Sequence, residues 1–229
     1  MVWTIKENDL LTAIIKGSIS EINQAIQNGA NVNAKDNAGW TPLIFACAKK
    51  ASKEVIELLI AKGANVNAKS KDGWTPLMVA CVKKASKEVI KLLIAKGANV
   101  NAKDNAGWTP LIFACAKKAS KEVIELLIAK GAKVNAKTNG GWTLLMVAAY
   151  NKASKEVIEL LIAKGADVNA KAKDDGWTPL MFAADNKASK EVIELLKEAK
   201  SEQEKANLKQ KIDKQTAQIA YNKFQAKQR

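Results

Sequence analysis

The residues able to do chemistry in this chain are few and regularly spaced. Cys47, Cys81 and Cys115 recur every 34 residues, Trp40, Trp74, Trp108 and Trp142 keep the same interval, and Trp177 follows after 35. Histidine is absent, which removes the commonest general base, the commonest metal ligand and the usual activator of a nucleophilic serine or cysteine. Thiols can do redox or ligand chemistry, but equivalent positions in stacked helical units stand about 8–10 Å apart, beyond the roughly 7 Å Cα separation that a disulfide spans. The cysteines therefore read as small buried side chains. The carboxylates recur as Glu54, Glu57 and their copies, where favourable charge near a helix start and i,i+4 pairing, as of Lys53 with Glu57, account for them. There is no Gly-rich phosphate-binding loop and no metal-ligand spacing. No catalytic residue, metal site or cofactor is expected, and the chain does not read as an enzyme.

Charge narrows the partner class. Lys plus Arg number 37 against 23 Asp plus Glu, a net +14, and only Arg229 among the cations is arginine. Bidentate recognition of phosphates and base edges favours guanidinium, so a basic composition with one arginine argues against sequence-specific nucleic-acid reading. No apolar run approaches the roughly 20 residues of a membrane-spanning helix. The start, MVWTIKENDLLTAIIKG, lacks the features of a secretory signal. A cytoplasmic protein is expected, with export by a route that needs no signal as the alternative.

The elements that position these residues are set by repetition. Residues 36–64 recur letter for letter at 104–132, and Asn33, Asn67, Asn101, Asn135 and Asn169 mark a 34-residue period. The units are an N-terminal cap, 1–33, four full repeats, 34–67, 68–101, 102–135 and 136–169, a fifth, C-terminal capping repeat, 170–196, and a basic extension, 197–229. In the first repeat Gly39 permits a turn, Thr41 caps a helix and Pro42 suits its first position, with the helix reaching about Lys49. Ser52 caps a second helix that ends at Gly63, with Val55, Ile56, Leu59 and Ile60 as its apolar face. One helix pair cannot bury that face alone, so neighbouring units must cover it.

The unit DNAGWTPLIFACA…SKEVIELLIAKGANVNA resembles the ankyrin repeat, with its G-x-T-P-L turn, paired helices, LL…GA and VN closure. The resemblance spans residues 1 to about 196. It implies an all-α ankyrin-repeat solenoid of stacked helix pairs with turn connectors, to which the sequence adds a C-terminal helical extension. Asn8–Gly29 fits a capping helix pair with Trp3 over its end. Several departures are visible. The period is 34 rather than the usual 33, because KKASKE is one residue longer and lacks the customary glycine. The histidine after T-P-L is replaced by Ile44, Met78, Ile112, Met146 and Met181, Leu144 replaces a proline, and AKAKDDG lengthens the last connector. Irregularity is expected around residues 170–176.

Proteins of the resembled family generally bind partner proteins on a concave face made by connector tips and first helices. Carried onto this sequence, that face comprises Asn37, Trp40 and Lys49; Lys71, Asp72, Trp74 and Lys83; Asn105, Trp108 and Lys117; Trp142, Tyr150 and Asn151; and Asp174, Asp175, Trp177 and Asp185. The tryptophan column is either a binding stripe or packing that stiffens the array. Net charge is polarised, +5 and +3 in the second and third repeats and −1 in the fifth, a pattern that would orient an elongated partner of opposite sign. The expected function is a protein-interaction module or scaffold. The alternative is electrostatic binding of a polyanion, nucleic acid or acidic protein, through the lysines of the middle repeats and tail.

The tail has no Gly or Pro and is rich in helix formers, with Leu208, Ile212, Ile219 and Tyr221 or Phe224 along a narrow stripe. A helix folded back over the last repeat is the first expectation. A protruding helix that pairs with another protein, or a basic disordered tail, are the others. A monomer is expected unless this helix pairs.

Overall fold

A computed structural model describes residues 3–227, with side chains described for 3–218 and for Tyr221. The chain forms α1 (Ile5–Lys16) and α2 (Ile19–Gln27), then pairs of short helices: α3 (Pro42–Ala48) and α4 (Lys53–Ala61), α5 (Pro76–Val82) and α6 (Lys87–Ala95), α7 (Pro110–Ala116) and α8 (Lys121–Ala129), and α9 (Leu144–Tyr150) and α10 (Lys155–Ala163). The array ends with α11 (Pro179–Asp185) and the long α12 (Lys190–Lys227). The first helices α1, α3, α5, α7, α9 and α11 pack in succession as one layer, and α2, α4, α6, α8, α10 and α12 form the other. This is an all-α repeat solenoid. Among the described residues the β-structure is one isolated bridge, Lys137 with Thr143.

Most of the helices begin where a capping side chain accepts from the first turn; Ser120 and Ser154 stand at the starts of α8 and α10 without such a bond. Thr41 Oγ1 accepts from Ile44 N and Ser52 Oγ from Val55 N, satisfying amides that have no partner within the helix. Pro42, Pro76, Pro110 and Pro179 occupy the first helical turn, and Leu144 takes that place in α9, fully buried. Seven- and nine-residue helices are too short to persist alone, so packing between repeats supplies their stability. Leu43, Ile44, Ile56, Leu59, Leu77, Ile90, Leu93, Leu111, Ile124 and Leu127 are buried throughout, each contributing about 1.5–3 kcal/mol of burial. Ile60, expected on the apolar face, is only half-buried.

The long KKASKE link is made without the glycine usual for such a turn. Lys50, Lys84, Lys118, Lys152 and Lys187 take left-handed backbone at φ between 52° and 56°, where a non-glycine residue costs about 1–2 kcal/mol. The lysines reverse the chain so that Ala51 N donates to Ala46 O, and Ala119 N to Ala114 O. The residues standing for the family's histidine are Ile44, Met78, Ile112 and Met146, all buried, with Met78 and Met146 sulfurs accepting from Thr75 N and Thr143 N at 3.4 Å. Met181, with no repeat beyond it, is 53% exposed.

A second inter-repeat device runs along the VN asparagines. Asn33, Asn67, Asn101 and Asn135 each donate from Nδ2 to the glycine carbonyl that follows the next repeat's second helix, at 2.7–2.8 Å. Each Oδ1 accepts a backbone N–H two residues beyond that glycine, at 2.8–2.9 Å. Asn169 meets no such glycine, because the second helix of the fifth repeat, α12, runs on without one. Gln203 of α12 stands there instead, its Oε1 accepting from Val168 N at 3.1 Å and from Asn169 Nδ2 at 3.5 Å.

At the N-terminus, α1 and α2 pack as the expected helix pair, and Trp3 is buried against the core. Thr4 hydroxyl donates to the Glu7 carboxylate, whose other oxygen accepts from Asn31 N. The Thr4 bond first, then the Asn31 N–H, hold the Glu7 carboxyl below its ordinary pKa.

The tail departs from the fold-back expectation. A single 38-residue helix, α12, begins as the fifth repeat's second helix and continues without a turn, since nothing between Lys190 and Lys227 breaks it. Leu196 and Ala199 are buried on the array. From Glu204 to Gln218 every residue is exposed, Leu208 and Ile212 included. Tyr221 is 58% exposed, and the side chains of Ile219 and Phe224, expected on the same stripe, lie outside the described residues.

Candidate functional site

The connector tips are tight turns held by their own first residue. Asp36 Oδ1 accepts from Ala38 N and Trp40 N at 2.9 and 2.8 Å, and Asp104 does the same for Ala106 and Trp108. Ser70 and Thr138 hydroxyls accept from Trp74 N and Trp142 N at 3.1 Å. In the lengthened fifth connector that place falls to Ala172, which has no acceptor side chain. Asp175 Oδ1 takes over, accepting from Trp177 N at 2.9 Å.

Tips are tied to one another in series. Lys71 N donates to Ala38 O, Asn105 N to Asp72 O, Asn139 N to Ala106 O and Lys173 N to Gly140 O, all at 2.9–3.0 Å. Asn105 and Asn139 add side-chain bonds from Nδ2 to Lys71 O and Asn105 O, each 2.9 Å. The approach is close enough to require glycine. A Cβ on Gly107, whose φ is +81°, would meet Asn139 N at 2.8 Å, and one on Gly73 would meet Asp104 Cα at 2.9 Å. The tips thus form a stiff row.

On this row all five tryptophans are half-buried. Phe113 sits between Trp74 and Trp108, with ring centroids 4.9 and 5.1 Å away. Phe182 sits between Trp142 and Trp177 at 4.4 and 5.1 Å. Tyr150 meets Trp142 edge-on at 5.5 Å while remaining 47% exposed. The tryptophans therefore do pack between repeats, in the tilted geometry aromatic pairs favour, yet keep part of each indole open.

The polar members of the expected set divide into two groups. Asn37, Lys49, Lys71, Asp72, Lys83, Lys117, Asp174 and Asp185 project into solvent from the tips and the C-terminal ends of the first helices, and Lys49 Nζ lies 5.4 Å over the Phe45 ring. Asn105, Asn151 and Asp175 have internal partners. Asn151 Nδ2 closes the end of α9 on Val147 O at 2.8 Å, while Asn105 and Asp175 hold the tips as described above. The bridging role of Phe113 and Phe182 escaped the sequence reading. Its signal was available in the alternation Phe45, Val79, Phe113, Val147, Phe182 at one repeat position.

The remaining reactive groups are quiet. Cys47, Cys81 and Cys115 are free and buried, and loss of hydration on burial pushes each thiol up to about 12. Glu54 and Glu88 are held below the ordinary carboxyl range first by their own backbone N–H and then by Ser52 and Ser86. For Glu122 and Glu156 the Ser120 and Ser154 hydroxyls lead. Lys121 pairs with Glu125 and Lys155 with Glu159 across one helical turn, at 3.9 and 3.5 Å. Among the described residues no group of three or more His, Cys, Asp or Glu is placed to hold a metal ion. No helix among them is long and apolar enough to cross a membrane.

Comparison with known proteins agrees with the architecture. A family model for ankyrin repeats in three copies matches residues 10–104, 58–138, 84–172 and 137–210. No curated protein matches the chain.

Proposed function

The chain belongs to the ankyrin-repeat family, and on that premise we propose that it binds a partner protein on a concave surface made by the connector tips and the C-terminal ends of the first helices. Ankyrin repeats are generally protein–protein interaction modules and typically not enzymes. The observation that carries the reading is Tyr150. Within residues 34–169 it is the large apolar side chain left exposed, at 47%, and it stands beside Trp142 at a position where the other repeats have Ala48, Val82, Ala116 and Asp185.

Further support comes from where the repeats differ. Core positions recur almost unchanged, whereas Lys71, Asp72, Tyr150 and Asp185 break the repetition and all are exposed. Along the row, lysines precede Tyr150 and the aspartates Asp174 and Asp185 follow it. A partner acidic at one end, apolar at the centre and basic at the other matches this order. The tips are bonded to one another before any partner arrives, so binding forfeits little backbone freedom.

The test is affinity capture at low and moderate salt, comparing the intact chain with a triple variant, Lys83→Ala, Lys117→Ala and Tyr150→Ala, and with a control on the second helices, Glu57→Ala and Glu125→Ala. All these positions are exposed, so circular dichroism should match across the set. A protein partner that survives salt, is lost from the triple variant and is kept by the control supports the reading. Equal loss from both variants overturns it, as does a catch of nucleic acid that salt removes.

A further inference from the structure

The tryptophan row has a bridging phenylalanine at two of its four intervals and valine at the other two. Phe113 fills the space between Trp74 and Trp108, and Phe182 that between Trp142 and Trp177. At the equivalent position the chain has Val79 for Trp40 and Trp74, and Val147 for Trp108 and Trp142. At the Trp108–Trp142 interval the tip is reduced too, because Gly140 stands where the other repeats have Ala38, Asp72, Ala106 and Asp175. Between the two indoles a cleft of about 450 Å³ opens, lined by Ala106, Trp108, Thr138, Asn139, Gly140 and Trp142.

Its walls are set at the spacing that accepts a ring elsewhere. The tips carrying Trp74 and Trp108 are tied by Asn105 N to Asp72 O at 3.0 Å, and those carrying Trp108 and Trp142 by Asn139 N to Ala106 O at 2.9 Å. Each wall is also supported by other rings, Trp108 by Phe113 and Trp142 by Phe182 and Tyr150. At the rim, Thr138 Oγ1 and the Asp174 carboxylate each lie 4.0 Å from where a Cβ on Gly140 would stand. The rim is therefore rich in acceptors.

We propose that this cleft binds an aromatic side chain of the partner protein, inserted between the indoles of Trp108 and Trp142 as Phe113 and Phe182 are inserted between theirs. The proposal rests on the partner-binding reading above and names the chemistry recognised at the centre of that face. A ring gains the tilted contacts seen in the neighbouring repeats, which a branched aliphatic chain cannot supply. A phenol hydroxyl adds a donor toward Asp174 and Thr138, so tyrosine is the preferred residue.

The probe is N-acetyl-tyrosinamide, titrated into the full chain while the tryptophan indole N–H signals are followed by NMR, each assigned by its Trp→Phe variant. The expected result is saturable shifts at Trp108 and Trp142 with a Kd on the order of 1 mM, about fivefold tighter than for N-acetyl-leucinamide. Gly140→Leu, which places an aliphatic chain against Trp142 with Cβ 3.7 Å from its Cδ1, should abolish the shifts, and Gly140→Ala should retain them. Val147→Phe is the second blocking variant should Gly140→Leu not fold. The proposal is overturned by absence of saturable shifts, by shifts that survive the blocking variant, or by leucinamide binding equally well. If the fragment fails while partner capture still depends on Lys83, Lys117 and Tyr150, the aromatic slot falls and the binding face stands.

Discussion

Substituting Asn101 by alanine tests whether the asparagine ladder couples one repeat to the next. Its side chain donates to Gly131 O at 2.8 Å and accepts from Lys133 N at 2.9 Å, so the variant loses two hydrogen bonds between repeats. Each is worth about 1 kcal/mol net. Gly131 and Lys133 are exposed, so water can serve the freed groups and no burial penalty is added; the expected loss is about 2 kcal/mol. Asn169→Ala is the internal control. Its Nδ2 reaches only Gln203 Oε1, at 3.5 Å, near the limit of a useful bond, and the loss should be under about 0.5 kcal/mol. Urea unfolding followed by circular dichroism measures both, and because repeats interact only with neighbours, the Asn101 variant should also show a broadened transition with a lower m-value. An Asn101→Ala protein within about 0.5 kcal/mol of the parent, or an Asn169→Ala protein equally damaged, would refute the ladder as a coupling device.

Two glycines of the tips should behave oppositely. Gly107→Ala combines left-handed backbone with a 2.8 Å approach to Asn139 N and should cost at least about 2 kcal/mol, whereas Gly140→Ala meets nothing closer than 3.7 Å and should stay within about 0.5 kcal/mol of the parent, both read from thermal or urea midpoints. The three thiols, pushed up to about 12 by burial, should resist a thiol reagent at pH 8 until the array opens. One fast-reacting cysteine in the native protein would contradict this. Because the folded thiols hold their protons more tightly than the unfolded ones, their contribution to stability is complete below the unfolded value and declines as pH rises above about 9 toward about 12.

Much of the local structure was legible because each repeat states its own punctuation. Thr41 and Pro42 start one helix, Ser52 starts the next and Gly63 ends it, and these are short-range effects that depend on residues within a turn of one another. Stacking was equally legible, since the apolar face of a nine-residue helix has no partner inside its own unit. The residue types of the candidate face could be named by the same logic. Their roles could not. Asn105 reads as an exposed polar tip residue, yet its amide is spent on Lys71 O. Asp175 reads as surface charge, yet it replaces the acceptor that Ala172 lacks.

What the sequence by itself determined, then, is the repeat, the helix boundaries, the direction in which each unit hides its apolar side, and the absence of histidine-dependent chemistry. Only the tertiary structure decided which tryptophans share a phenylalanine and which pair is left with an open cleft, because that depends on side chains about 34 residues apart meeting across a gap set by tip-to-tip hydrogen bonds. The tertiary structure also decided the course of the tail. Helix propensity runs evenly through residues 197–227, so nothing local says where contact with the array should stop. That limit comes from the last repeat, whose exposed edge is covered by Ala199 and Gln203, while Glu204 to Gln218 are exposed.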